Sequence, residues 1–171
     1  SARHIIAGQL SERYGYTIIH PYDDYQIIAG QGTLGLEIAE QLPDVNYVVV
    51  PIGGGGLIGG VSVAVKSKIP KAQVIGAEPY ALRRYAMSVE AGERVNLEEQ
   101  KSVADALLTQ KPGERNYPIV TGNVAGFVGV KDESMLKAMK LLLMEGKILA
   151  EPSSCIGIGA ALQGELQIGR A

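Results

Sequence analysis

Tryptophan is absent from this sequence, phenylalanine and cysteine occur once each, and histidine occurs twice. With aromatic residues at only 5%, a core built from this chain has to be aliphatic. The lone Cys155 rules out an internal disulfide framework and suits a reducing compartment. His4 and His20 have no partner at the spacing of a metal site or a catalytic pair, so structural or surface roles are expected of both. No apolar stretch is long enough and free enough of glycine to span a bilayer. Ser1 to Leu10 lacks the continuous apolar core of a secretory signal. The net charge of −2 makes no electrostatic case for nucleic acid or an anionic membrane. These absences leave a cytoplasmic globular chain. Its 171 residues fit one domain with a sizeable core.

What is abundant is glycine, 22 residues, clustered at Gly53 to Gly60 and recurring singly near the ends of apolar runs. Strand and helix signals alternate around them. Tyr16 to His20 is a β-rich run closed by Pro21, and Asp23 and Asp24 can cap a helix from about Tyr25 to Gln41. Gly30, Gly32 and Gly35 weaken helix propensity there and are expected to mark close packing or an irregular start. Asn46 to Ile52 reads as a strand buried on both faces, because its β-branched residues are continuous rather than alternating. A helix follows from about Leu57 to Lys68, closed by Pro70, and then a strand from Gln73 to Ala77 that runs into Glu78-Pro79. This strand–turn–helix–strand unit predicts parallel strands.

The remainder is less regular. A helix is expected over Tyr80 to Ala91 with Gly92 as its stop, a long ordered loop over Arg94 to Thr109, and a turn at Lys111-Pro112-Gly113. A strand follows over Val124 to Val130. Asp132 can then cap a helix whose Met135, Ala138, Met139, Leu142 and Leu143 form a core stripe ending at Gly146. Ser153 or Ser154 can cap a last helix rich in glycine and alanine. The fold class is α/β, a mainly parallel sheet with helices on both faces.

Four consecutive glycines between a buried strand and a helix are costly in backbone entropy. The usual need for them is close approach of backbone amides to an anion, helped by the helix dipole. A phosphate is the natural ligand. Local features leave two phosphates open. Gly54, Gly56 and Gly59 fit GxGxxG, and Glu78, 19 residues after Gly59 at the end of the next strand, stands where a dinucleotide-binding Rossmann domain has its ribose-binding acid. An unbroken run of four also suits a cup around one terminal phosphate.

The wider sequence favours the second. His20-Pro21-Tyr22-Asp23-Asp24 and Ile28-Ala29-Gly30-Gln31-Gly32-Thr33 are followed by Val49-Val50-Pro51-Ile52-Gly53-Gly54-Gly55-Gly56-Leu57. Gly76-Ala77-Glu78-Pro79, Ala104-Asp105 and Ala150-Glu151-Pro152-Ser153 then come in order. Together these resemble the threonine/serine dehydratase (ammonia-lyase) and serine racemase type of pyridoxal-phosphate (PLP) enzyme of fold type II, over nearly the whole chain. The resemblance implies PLP as cofactor and a small amino acid as substrate, with deamination of L-threonine or L-serine to a 2-keto acid and ammonia. Serine racemase or another fold type II activity is the alternative, and a Rossmann-type dinucleotide-binding domain a further one.

By the same resemblance, Gly53, Gly54, Gly55, Gly56 and Leu57 donate amides to the PLP phosphate, and Ala106 and Glu151 lie beside the cofactor. Ala106 stands where many relatives have glycine. Family members are considerably longer, and the early Ser-x-Lys-like segment whose lysine forms the imine with PLP has no counterpart here. No catalytic residue is therefore assigned. Lys66, Lys68, Lys71, Lys101, Lys111, Lys131, Lys137, Lys140 and Lys147 all sit in polar sequence, unlike an activated lysine. The expectation is that residues 1–171 form a single incomplete PLP-binding domain, inactive alone, that oligomerises or associates with the missing half. In serine racemases the glutamate matching Glu78 helps hold a divalent cation with an aspartate six residues on. Here that position is Arg84, next to Arg83. No metal site is expected, and Glu78 is expected to pair with an arginine.

Overall fold

The computed structural model of the chain describes residues 2–164 and 166. Helix α1 (Ala2–Tyr14) turns at Gly15, φ 70°, into residues 16–20, which form neither strand nor helix. The β-rich run Tyr16 to His20 was expected to be a strand. No described strand pairs with it. The side chain of His4 lies outside the described residues. His20 has a structural role, its Nδ1 accepting the amide of Asp23 at 2.8 Å.

Helix α2 (Tyr25–Gln41) begins where the sequence places it. Asp24 is extended at φ −143°, and its carboxylate accepts the amide of Gln26 at 2.7 Å, a cap worth about 1 kcal/mol. Leu42 ends the helix because Pro43 disfavours a helical residue before it. Strand β1 (Tyr47–Pro51), helix α3 (Gly56–Lys68) and strand β2 (Gln73–Pro79) follow. The glycines of α2 serve close packing. A Cβ on Gly35 would stand 2.8 Å from the Cβ of Ala64, and one on Gly60 of α3 would fall onto the backbone of Ile28 and Gly32. Gly30, by contrast, faces open space.

The single helix expected over Tyr80 to Ala91 is two pieces, a 3-10 turn Tyr80–Leu82 and helix α4 (Arg84–Ala91), with Gly92 as a left-handed cap at φ 73°. Residues 94–109 form the expected ordered loop, with a 3-10 turn at Asp105–Leu107. Helix α5 (Asn116–Asn123) was not foreseen, since Asn, Pro, Gly and β-branched residues fill it. Pro118 lies in its first turn, where a missing amide costs nothing. Strand β3 (Gly126–Val130), helix α6 (Asp132–Met144), a 3-10 turn Pro152–Cys155 and helix α7 (Ile156–Gln163) complete the described chain.

The sheet order is β1-β2-β3 and every pairing is parallel, with Val50 opposite Gly76 and Ile75 opposite Gly126. On one face Val48, Val50 and Val74 pack with Ile58, Val61 and Val65 of α3 and Val120 of α5. On the other, Ala77, Val128 and Val130 pack with Met135 of α6 and Ile156 and Ala160 of α7. Helices therefore cover both faces, as the continuous β-branched run implied, although Val49 is only half-buried.

Two expected helix caps are not found. Asp132 does not cap α6; its carboxylate accepts from Ser102 Oγ at 2.6 Å and the Val103 amide at 3.1 Å, which pins the long loop. Neither Ser153 nor Ser154 caps α7. Gly146 does follow the end of α6, whose last residue is Met144, and Lys147 beyond it is left-handed at φ 55°. The core stripe of α6 is real at Met135 and Ala138, partial at Met139 and Leu142, and absent at Leu143, which is exposed.

Candidate functional site

The site forms at the carboxyl end of β1. Gly53, Gly54, Gly55, Gly56 and Leu57 line a cavity of about 320 Å³ together with Pro21, Tyr22, Gln31, Pro51, Ala106, Leu107 and Thr109. This is the end of a parallel sheet at which open α/β folds bind ligands. None of these lining residues is charged.

The loop's geometry follows from where its carbonyls go. The Ile52 and Gly53 carbonyls accept from Arg84 Nη1 at 2.9 and 3.1 Å. The Gly54 carbonyl accepts from the Tyr85 hydroxyl and the Gly113 amide, both at 2.9 Å. The Gly55 carbonyl accepts the Gly59 amide at 2.8 Å, the first turn of α3. In a trans peptide unit the carbonyl and the following amide point in opposite directions, and the described residues contain no cis peptide. Tying these carbonyls inward therefore turns the amides of Gly53, Gly54, Gly55 and Gly56 outward. Among the described residues, none of the amides of Gly53 to Leu57 has a hydrogen-bond partner. Such a run of unpartnered donors at a helix N-terminus fits an anion.

Three of the four glycines, Gly54, Gly55 and Gly56, are required by their surroundings, whereas a Cβ on Gly53 would meet nothing closer than 3.5 Å. Gly55 has φ 105°, and a Cβ on it would collide with the Tyr85 hydroxyl. A Cβ on Gly54 would penetrate the Tyr22 ring, and one on Gly56 would stand 2.9 Å from the Tyr22 carbonyl. Tyr22 thus lies directly over the loop. Its phenol is pushed above the ordinary value by burial and by the nearby charge of Asp23, so it stays protonated.

Asp23 explains how Tyr22 is held. Asp24 alone caps α2, while Asp23 reaches across to the start of α5. Its carboxylate accepts the amides of Glu114 at 3.0 Å and Arg115 at 2.9 Å, and Asn116 Nδ2 donates to the Tyr22 carbonyl at 2.9 Å. Two adjacent aspartates were legible as caps; that they serve different helices was not.

Glu78 is fully buried and its two carboxylate oxygens accept the amides of Tyr85 and Ala86 at 2.9 and 3.0 Å. It pairs with Arg84, Nε to Oε1 3.8 Å, as anticipated of an arginine neighbour. Burial pushes its carboxyl above the ordinary range, opposed by Arg84 and the two amides. Burial likewise lowers the Arg84 guanidinium, against the pull of Glu78. So enclosed a glutamate cannot reach a ribose hydroxyl, which removes the acid that a dinucleotide site needs. Tyr85 is also fully buried, and burial with the Glu78 and Asp23 charges drives its phenol far above its ordinary 10.0.

Ala106 lines the cavity, and its amide donates to Ser153 Oγ at 3.3 Å. Glu151 is exposed and lies two residues before Ser153, outside the cavity lining. Cys155 is buried and its thiol is pushed up by burial and by Glu151, so it is unreactive. All nine lysines weighed from the sequence are exposed, and none lines the cavity. Among the described residues no three His, Cys, Asp or Glu side chains converge, and no helix is long and apolar enough to cross a membrane. The sequence had left Tyr22, Tyr85, Asn116 and Thr109 without a role; only the motif around Tyr22 carried a signal.

A family model described as pyridoxal-phosphate dependent enzyme matches residues 1–171. An L-threonine ammonia-lyase of Thermotoga maritima is 41% identical over 154 residues, covering 90% of this chain and 38% of the relative. A serine racemase of Arabidopsis thaliana is 39% identical over 162 residues, covering 95% and 49%. The solved structure of a T.th. threonine deaminase superposes with a TM-score of 0.92 at 38% identity, covering 96% of this chain and 57% of that one. The chain thus spans about half the length of the relatives it matches, or less.

Proposed function

The chain belongs to the pyridoxal-phosphate-dependent enzymes, and from that membership we propose that it is the cofactor-binding part of an ammonia-lyase acting on a small hydroxylated amino acid, L-threonine or L-serine. The observation that carries this reading is the loop 53–57, whose carbonyls are tied inward while its amides face the cavity unpartnered. The amides of Gly53, Gly54, Gly55, Gly56 and Leu57 bind the phosphate of PLP. Pro21, Tyr22, Leu57 and Leu107 offer apolar walls suited to an aromatic ring. Ala106 lies beside the group. Glu151 is assigned beside the cofactor on the resemblance alone; it is exposed, outside the cavity lining, two residues before the Ser153 whose Oγ accepts from the Ala106 amide. When bound, PLP supplies the electron sink for cleavage at the α-carbon. Tyr22 shields the phosphate from water, and the latch from Asp23 to α5 keeps it in place.

With every weighed lysine exposed, residues 1–171 alone bind the cofactor without anchoring it covalently and do not turn over substrate. We take them as one incomplete cofactor domain of a cytoplasmic enzyme that works as an oligomer. Serine racemase is the second reading, favoured by the near-equal identity of the plant relative. Product analysis of the complete enzyme on L-serine, keto acid against D-serine, separates the two. The reading of this chain is tested by titrating it with PLP, then reducing with borohydride and weighing the intact protein. Binding competed by phosphate with an unmodified mass supports it. A one-to-one covalent adduct on a defined lysine, or no binding, contradicts it.

A further inference from the structure

Arg84 is fully buried at the start of α4. Its guanidinium makes four hydrogen bonds, to the carbonyls of Ile52 (2.9 Å), Gly53 (3.1 Å) and Leu82 (2.7 Å) and to Thr109 Oγ1 (3.3 Å). Its acidic neighbour Glu78 stands 3.8 Å away and already accepts two amides, and Nε has no hydrogen-bond partner among the described residues. The ion pair is thus poorly formed, whereas the bonds to backbone carbonyls are short. Burying a guanidinium is expensive, and an apolar side chain of similar size would fill the space at lower cost. What an apolar side chain cannot do is grip two successive carbonyls of one loop.

That grip has a stereochemical consequence. Holding the Ile52 carbonyl inward fixes the amide of Gly53 outward, and holding the Gly53 carbonyl does the same for Gly54. Tyr85 and Gly113 act on the amide of Gly55, and the first turn of α3 on that of Gly56. The charge matters too. No lining residue of the cavity is charged, so the nearest fixed cation to the loop lies behind it. A cation on a peptide carbonyl also polarises the amide of the same unit, which strengthens it as a donor.

We propose that Arg84 is the positioning residue of the phosphate cradle: it presents the amides of Gly53 and Gly54 to the anion and supplies, from behind the loop, the positive charge that the cavity lacks. The assignment rests on reading the loop as a phosphate site.

The test is an amide-resolved NMR titration of the 171-residue chain with inorganic phosphate, for the parent, Arg84→Lys, and Arg84→Met combined with Glu78→Gln so that no lone charge is left buried. In the parent, phosphate shifts the amides of Gly53 to Leu57. In the double variant, affinity falls about tenfold, and the shifts are lost selectively at Gly53 and Gly54 while Gly55 and Gly56 still respond. Arg84→Lys, which keeps the charge but loses the fork, loses about threefold. Folded variants with the parent's affinity and amide pattern overturn the proposal. So does a uniform loss across all five amides, which would mean a collapsed loop. If the double variant does not fold, Arg84→Lys decides, and an unchanged affinity there overturns the assignment. A parent that shows no phosphate response at the loop sinks the cradle reading first, and Arg84's role with it.

Discussion

At the scale of single residues, the glycine loop divides into positions that tolerate a methyl group and positions that do not. Gly55 combines a left-handed backbone, φ 105°, with a Cβ direction aimed at the Tyr85 hydroxyl. Gly55→Ala is therefore expected to cost about 2 kcal/mol or more in denaturant unfolding, from backbone strain and overpacking together. It should also abolish phosphate binding. Tyr85 itself makes a pH prediction. Its folded phenol is raised far above the ordinary 10.0, so above that value the unfolded chain loses its proton while the folded chain keeps it. The contribution is fully present below pH 10.0 and declines as pH rises beyond it. Unfolding free energies measured on either side of that value should fall on the alkaline side, and Tyr85→Phe should reduce the slope. The same variant removes one of two donors to the Gly54 carbonyl, a loss of about 1 kcal/mol that leaves the Gly113 amide in place. A parent curve that is flat through the alkaline range would contradict the burial argument.

At the scale of elements, α2 and α3 approach so closely that glycine decides the contact. A Cβ on Gly60 would fall onto the backbone of Ile28 and Gly32, which cannot move aside as a flexible side chain could. Gly60→Ala should destabilise by about 3 kcal/mol or more. Gly30, in the same helix as Gly32 but facing open space, should behave in the opposite way. Gly30→Ala is expected to stabilise by about 0.5–1 kcal/mol through helix propensity. Paired thermal melts check both, and a destabilising Gly30→Ala would refute this assignment of faces. Asp23→Ala, which removes the cap of α5, should cost about 1–2 kcal/mol and speed hydrogen exchange in residues 116–123 before the rest of the chain. The elements legible in the sequence were those whose signals are local. Asp24 before α2, the β-branched run of β1, the glycine run and Pro70 after α3 each act within a few residues of themselves. The elements that were misread depend on distant partners. Residues 16–20 have strand propensity but no neighbouring strand, and α5 has poor propensity but is held by Asp23, more than ninety positions earlier in the chain. The same distinction runs through the site. The cradle could be read from four consecutive glycines, whereas its supports could not, because Arg84 and Tyr85 lie 31 residues from the carbonyls of Gly53 and Gly54 that they bind.

At the scale of the whole molecule, the described fold leaves apolar surface and sheet edges open at the same time. The three-stranded sheet ends at β1 on one side and β3 on the other, with no further strand beside either among the described residues. Ile18 and Ile19 lie in a segment that is neither strand nor helix, Ile19 at 74% exposure, and α1 presents Ile5, Ile6 and Leu10 to solvent. Beyond the end of α6, Ile148 and Leu149 are exposed, Leu149 at 88%. Single exposed apolar residues need no explanation, but runs of exposed apolar residues and strand edges without a partner each favour association. The chain on its own is therefore expected to self-associate, and sedimentation velocity should show species above the monomer mass that grow with concentration. Charged substitutions separate the two open regions. If residues 16–20 pair as a strand between copies, Ile18→Lys with Ile19→Lys shifts the distribution toward monomer, because lysines on an edge strand oppose pairing. If the end of α6 carries the contact, Leu149→Lys does so instead. The loop 53–57 and its cavity involve neither region, so phosphate binding should survive both sets of changes. A parent chain that stays monomeric and stable across the concentration range would mean that these surfaces are tolerated in water, and would remove the case for an oligomer built on them.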